Sequence, residues 1–121
     1  MSWLLVAVGG ALGALSRYAI DRAVNAYIGP TVLGIFLINI IGSFLLGIFV
    51  TAYDANDWPM STRLLVAVGF FGSYTTFSTL TVASVQMAQG GDIARAALNI
   101  LGSIVVGLAA AFAGILVGRA L

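Results

Sequence analysis

The sequence predicts an all-α integral membrane protein of four spans, and three observations carry that prediction. The 121-residue chain is 61% hydrophobic and only 7% charged, where a soluble domain has about 25% charged residues. Its mean hydropathy is +1.12. Its five arginines and four aspartates (Arg17, Asp21, Arg22, Asp54, Asp57, Arg63, Asp92, Arg95 and Arg119) fall at the edges of apolar runs. Four such runs approach the ~20 residues that a helix needs to cross a bilayer.

The first span is expected over residues 3–20. The N-terminus, Met1-Ser2-Trp3, has no basic n-region and no clear cleavage site, so it reads as the start of that span and not as a signal peptide. Arg17 near its end reads as an interfacial anchor that can snorkel, with Asp21 one turn on as its partner. The other reading of Arg17 is attraction of an anion at a pore mouth. Residues 21–28 read as a short interfacial piece, and Gly29-Pro30 closes it. The second span follows over residues 31–53, with Asn39 as the only amide in its interior. Trp58-Pro59 precedes the third span, residues 61–89. Gly90-Gly91 precedes the fourth, residues 93–118, which carries Asn99 and Ser103 at i, i+4. Loops this short leave room for a single domain, residues 1–121.

An even number of spans puts both termini on one side. That side then holds Arg63 and Arg119, and the other holds Arg17, Arg22 and Arg95. Orientation follows Lys/Arg asymmetry, so a bias this small fits a chain that can insert either way up. Small residues recur at helical spacing: Gly9 and Gly13, Gly114 and Gly118, Ser103-Gly107-Ala111, and Asn39-Ser43-Gly47. In lipid such pairs let backbones approach closely, within one chain or between chains. Four helices enclose little volume, so a pathway is expected to be built by an oligomer.

The third span carries the most informative run, Gly69-Phe70-Phe71-Gly72-Ser73-Tyr74-Thr75-Thr76-Phe77-Ser78-Thr79-Leu80. Thr75, Thr76, Ser78 and Thr79 put four hydroxyls where apolar residues are expected, just after two glycines that can break a helix. Polar side chains at membrane depth are costly, and non-helical backbone there must be buried or line a wet cavity. A single hydroxyl would read as bonded back to its own i−4 carbonyl. Helical spacing places Thr75 with Ser78 and Thr79 on one face, and Phe77 with Leu80 on another. A broken helix followed by hydroxyls points to an ion site: freed carbonyls suit a hard cation, and hydroxyl donors suit an anion.

The missing residue types exclude other functions. Without Cys or His there are no disulfides and no usual transition-metal ligands. Without Lys as well, no nucleophile–base pair can be assembled, which argues against an enzyme. A net charge of +1 gives no footprint for nucleic acid. No carboxylate lies inside an expected span, although a proton-coupled exporter would want one.

These residues resemble the Fluc/CrcB family of fluoride channels along essentially the whole chain. The resemblance rests on Gly-Gly-x-x-Gly-Ala-x-x-Arg-Tyr at residues 9–18, on Asn39-x-x-Gly42-Ser43-Phe44-Leu45-Leu46-Gly47, and on Gly-x-x-Thr-Thr-Phe-Ser-Thr at residues 72–79. The size and the four spans agree. The third-span run is specific, whereas the Gly-x-x-Gly fragments alone are weak.

The resemblance implies an antiparallel, dual-topology homodimer in a prokaryotic inner membrane. It implies two pores for passive fluoride efflux that relieves cytoplasmic toxicity. It also implies a structural Na⁺ at the dimer centre, on the main-chain carbonyls of Gly72 and Thr75 at the third-span break. The pore residues it implies are Asn39, Phe77, Ser78, Thr79 and Ser103. The chain departs from the family at two positions. Leu80 stands where a second phenylalanine is usual, which leaves one aromatic edge in the run for an anion. Asn99 stands where a tyrosine often lies, and its amide can still donate. A small dual-topology multidrug exporter and a structural membrane subunit are the alternatives. The first lacks its carboxylate, and the second leaves the hydroxyl cluster unexplained.

Overall fold

The computed structural model describes all residues, Met1–Leu121. Four helical segments are long and apolar enough to cross a membrane. α1 spans Ser2–Ile28 without interruption, so residues 21–28 are its last two turns and not a separate interfacial piece. Its 27 residues make a rod of about 40 Å. Gly29 ends it at φ 96°, a conformation open to glycine, with its N–H on the Asn25 carbonyl. The Asn25 and Thr31 side chains then accept the N–H groups of Thr31 and Leu33, which satisfies two backbone donors at the entry to α2, Leu33–Asn56.

The third span, Met60–Gln89, is composite. It opens after Pro59 as α3, Met60–Arg63, and widens into a π-helical stretch, Leu64–Phe71. A single turn follows, α4, Gly72–Tyr74. Thr75 and Thr76 are then extended (ψ 155° and 117°), so the helix is broken. It restarts as α5, Phe77–Gln89, capped by the Thr76 hydroxyl on the Thr79 N–H. Gly90 and Gly91 turn the chain, and Asp92 caps α6, Ile93–Ala120, by accepting from the Arg95 N–H.

Two seams of small residues join the spans. α1 lies against the π-helical stretch: a Cβ at Gly9 would run into the Leu65 carbonyl, and one at Gly13 into the Phe70 carbonyl. α2 lies against α6: a Cβ at Gly114 would meet the Phe44 carbonyl, and one at Gly47 would sit 2.6 Å from the Ala111 carbonyl. The glycine pairs of the first and fourth spans are therefore used within the chain.

Only 16 of 121 residues are buried, so the core is small. Ile38 is its centre, with Ile35, Phe71, Tyr74 and Leu80 around it. Trp3, Leu15, Leu98, Leu108 and Phe112 point outward. In water such a surface would be an aggregation hazard; for helices of this length its natural solvent is lipid.

Candidate functional site

The break in the third span is held from both sides by side chains distant in sequence. From α2, Asn39 pairs with Thr76 as if it were a neighbouring backbone: its Oδ1 accepts the Thr76 N–H at 2.8 Å, and its Nδ2 donates to the Thr76 carbonyl at 3.0 Å. From α1, the Arg17 Nε–H donates to the Ser73 carbonyl at 3.1 Å. Arg17 therefore neither snorkels nor pairs with Asp21, whose buried Oδ1 has no hydrogen-bond partner. Gly42 lets α2 come this close, because a Cβ there would sit 2.5 Å from the Thr75 methyl carbon.

The Asn39 clamp also orients its neighbour. The chain has no cis peptide bond, and in a trans peptide the N–H and C=O point in opposite directions. With the Thr76 N–H aimed at Asn39, the Thr75 carbonyl points away from α2. The Thr75 hydroxyl is already committed to the Phe71 carbonyl at 3.0 Å. Gly72 sits at the exposed surface on the last turn before the break.

A cavity of about 280 Å³ opens beside the clamp. Asn39, Phe77 and Ser103 share it with Thr75, Thr76 and Leu80. Ser78 and Thr79 do not line it; they face a separate groove with Val82, Ala83 and Gln86. The single chain thus brings three of the five expected pore residues together and leaves two facing elsewhere. The expected grouping of Thr75 with Ser78 and Thr79 fails for a simple reason: helical periodicity does not run through the extended Thr75–Thr76 link. Phe77 and Leu80 both touch the cavity, but Phe77 is 74% exposed while Leu80, at 6%, is packed into the core.

A census of donors sorts these side chains further. The Ser43 hydroxyl donates to the Asn39 carbonyl, Thr81 to the Ser78 carbonyl, and Ser84 to the Leu80 carbonyl. These protons are spoken for. Asn39 has two amide protons and uses one. The buried Ser103 hydroxyl has no partner at all. Thr79 Oγ1 accepts from the Thr76 hydroxyl, so its own proton is free. Among the expected pore residues the uncommitted donors are thus Asn39, Ser103, Thr79 and Ser78, all uncharged. Asn99 donates to Ser84 Oγ at 2.9 Å, tying α6 to α5 away from the cavity.

Sequence reasoning missed two parts of this site. Thr76 takes part through its backbone, which no side-chain pattern announces. Arg17 reaches a carbonyl 56 residues away. The Asn39-x-x-Gly42 spacing was the available signal for the clamp.

Comparison with known proteins gives a consistent answer. Residues 4–115 match the family model described as CrcB-like protein, Camphor Resistance (CrcB). A protein of Acidobacterium capsulatum named fluoride-specific ion channel FluC is 40% identical over 121 residues, covering 98% of this chain and 97% of its own. Proteins of the same name from Gloeobacter violaceus and Thermus thermophilus are 40% and 38% identical, each over 98% of this chain and 96% of theirs.

Proposed function

The chain belongs to the CrcB-like family, and on that footing we propose that it is a fluoride-selective channel, not an enzyme, that lets fluoride leave the cell passively and so relieves its toxicity. The observation that carries this is the set of uncommitted, uncharged donors: the spare Asn39 amide proton and the unpartnered Ser103 hydroxyl beside one cavity. Fluoride is a small, strongly hydrated anion, and such donors can replace its water shell. Without a formal positive charge they bind it weakly enough to release it, as conduction requires. The Phe77 ring at the same cavity adds an electropositive edge. Leu80, turned into the core, adds none.

The exposed positions support a pathway completed by a second copy. Phe77, Ser78 and Thr79 are outward-facing in the single chain, and the near-balanced arginines permit an antiparallel pair in the inner membrane. Two such copies would give two pores, each using Asn39, Phe77, Ser78, Thr79 and Ser103.

The Gly72 and Thr75 carbonyls fit a structural Na⁺ in kind. They are hard oxygen donors, Gly72 is exposed, and the Asn39 clamp turns the Thr75 carbonyl away from α2. Two oxygens are too few for a hard cation, so the site would need the same pair from a partner.

Reconstitution in liposomes with a fluoride electrode tests the channel. Fluoride efflux well above that of empty vesicles is expected, and none above that background would overturn the proposal.

A further inference from the structure

Arg17 makes a contact that the channel reading leaves unused. α1 delivers it to the break: Gly9 and Gly13 bring α1 onto the backbone of the π-helical stretch, and Arg17 lies one turn beyond Gly13. Its Nε–H then reaches the Ser73 carbonyl. That carbonyl lies between Gly72 and Thr75, in the last turn before the helix ends at Tyr74. Carbonyls at such an end lack intrahelical partners and carry the negative pole of the helix. A guanidinium is a strong, charge-assisted donor to them.

We propose that Arg17 is a positioning residue for the main-chain cation site: by holding the Ser73 carbonyl from the α1 side, it fixes the turn that presents the Gly72 and Thr75 carbonyls. It works opposite Asn39, which holds Thr76 from the α2 side. The two clamps bracket Tyr74 and Thr75, so the turn cannot relax toward either helix. The inference rests on the cation reading given above. It differs from attraction of anions at a pore mouth, which needs only the charge of Arg17. Positioning needs the planar Nε–H, which lysine cannot reproduce.

The test uses full-length protein in two formats: thermal unfolding in detergent against Na⁺ concentration, with N-methylglucamine as the replacing cation, and fluoride efflux from liposomes over the same range. Wild type should be stabilised by Na⁺. Arg17→Lys and Arg17→Gln should each need about tenfold more Na⁺ for half of that stabilisation, the scale of a lost charge-assisted hydrogen bond. Efflux at saturating Na⁺ should recover in both. If Arg17→Lys matches wild type while Arg17→Gln loses efflux at low salt, Arg17 acts by charge alone and the proposal is overturned. Wild-type Na⁺ dependence in both variants overturns it too. A backbone ester between Ser73 and Tyr74 weakens the Ser73 carbonyl as an acceptor with every side chain in place. It should raise the Na⁺ requirement in the same direction, and an unchanged requirement would overturn the proposal even if the Arg17 variants fail to assemble. A wild type indifferent to Na⁺ in both formats would instead overturn the cation reading on which the inference stands.

Discussion

Between Leu64 and Tyr74 the third span is gripped by its own chain, whereas from Phe77 to Thr79 it faces outward. In the first half Gly69, Phe71 and Tyr74 are buried, and the glycines of α1 touch its backbone. In the second half three consecutive residues, one aromatic and two hydroxylic, are exposed at a depth where lipid would reject the hydroxyls. The extended pair Thr75–Thr76 separates the halves. The difference separates a half that serves as scaffold from an exposed half, and it is the exposed half that the proposal assigns to an ion path and a second copy. Substitutions should therefore cost stability in the first half and flux in the second.

The largest effect is expected at the α1 seam. Gly13→Ala places a methyl group on the Phe70 carbonyl; both partners there are backbone, so neither can rotate away. A loss of about 3 kcal/mol is expected, the upper range for overpacking, seen as a lowered melting temperature in detergent. An unchanged melting temperature would mean that this seam is loose and that the first half is no scaffold.

Next comes the clamp between the halves. Asn39→Asp keeps the shape but removes the donor to the Thr76 carbonyl and sets a negative charge beside the proposed anion path. Fluoride efflux from liposomes should fall by about tenfold to thirtyfold, the scale of one buried acceptor left unpaired. Efflux at the wild-type rate would detach Asn39 from the pathway.

Leu80 tests where the boundary between scaffold and path lies. It is in the second half by sequence but packs with Ile35, Ile38, Phe71 and Tyr74. Leu80→Phe should therefore destabilise by about 1 kcal/mol through overpacking and bring no gain in efflux. A faster channel of wild-type stability would show that position 80 belongs to the path.

The four spans were legible because apolar runs of the right length are punctuated by Gly29-Pro30, Trp58-Pro59 and Gly90-Gly91, residues that stop helices for local reasons. The break was legible from the hydroxyls that follow Gly72, although Gly72 itself stays helical and the chain opens only at Thr75 and Thr76. What followed the break was not. A single helical period does not run through Thr75 and Thr76: the extended link there resets the phase, so Ser78 and Thr79 point away from the cavity that holds Asn39 and Ser103. The π-helical stretch was invisible because Leu64–Phe71 carries no composition that sets it apart from an α-helix. The partner of Arg17 was hidden because backbone carbonyls leave no mark in a sequence, and Asp21, one turn away, was the nearer candidate.

The smallest change in stability should come with a measurable change in flux, and Ser78→Ala is where the two separate. Ser78 is exposed in the single chain. Its carbonyl, not its hydroxyl, takes the Thr81 bond, so alanine removes nothing that the fold uses. Melting should shift by less than about 0.5 kcal/mol in stability, as at ordinary surface sites. If the hydroxyl lines a fluoride path, efflux should still fall about threefold, the worth of one weak neutral hydrogen bond. The pair of measurements matters more than either alone. A drop in both would place Ser78 in the scaffold. No drop in either would leave the outward hydroxyl of Ser78 without an ion to serve, and the proposed ion path would then have to end at Phe77 rather than at Thr79.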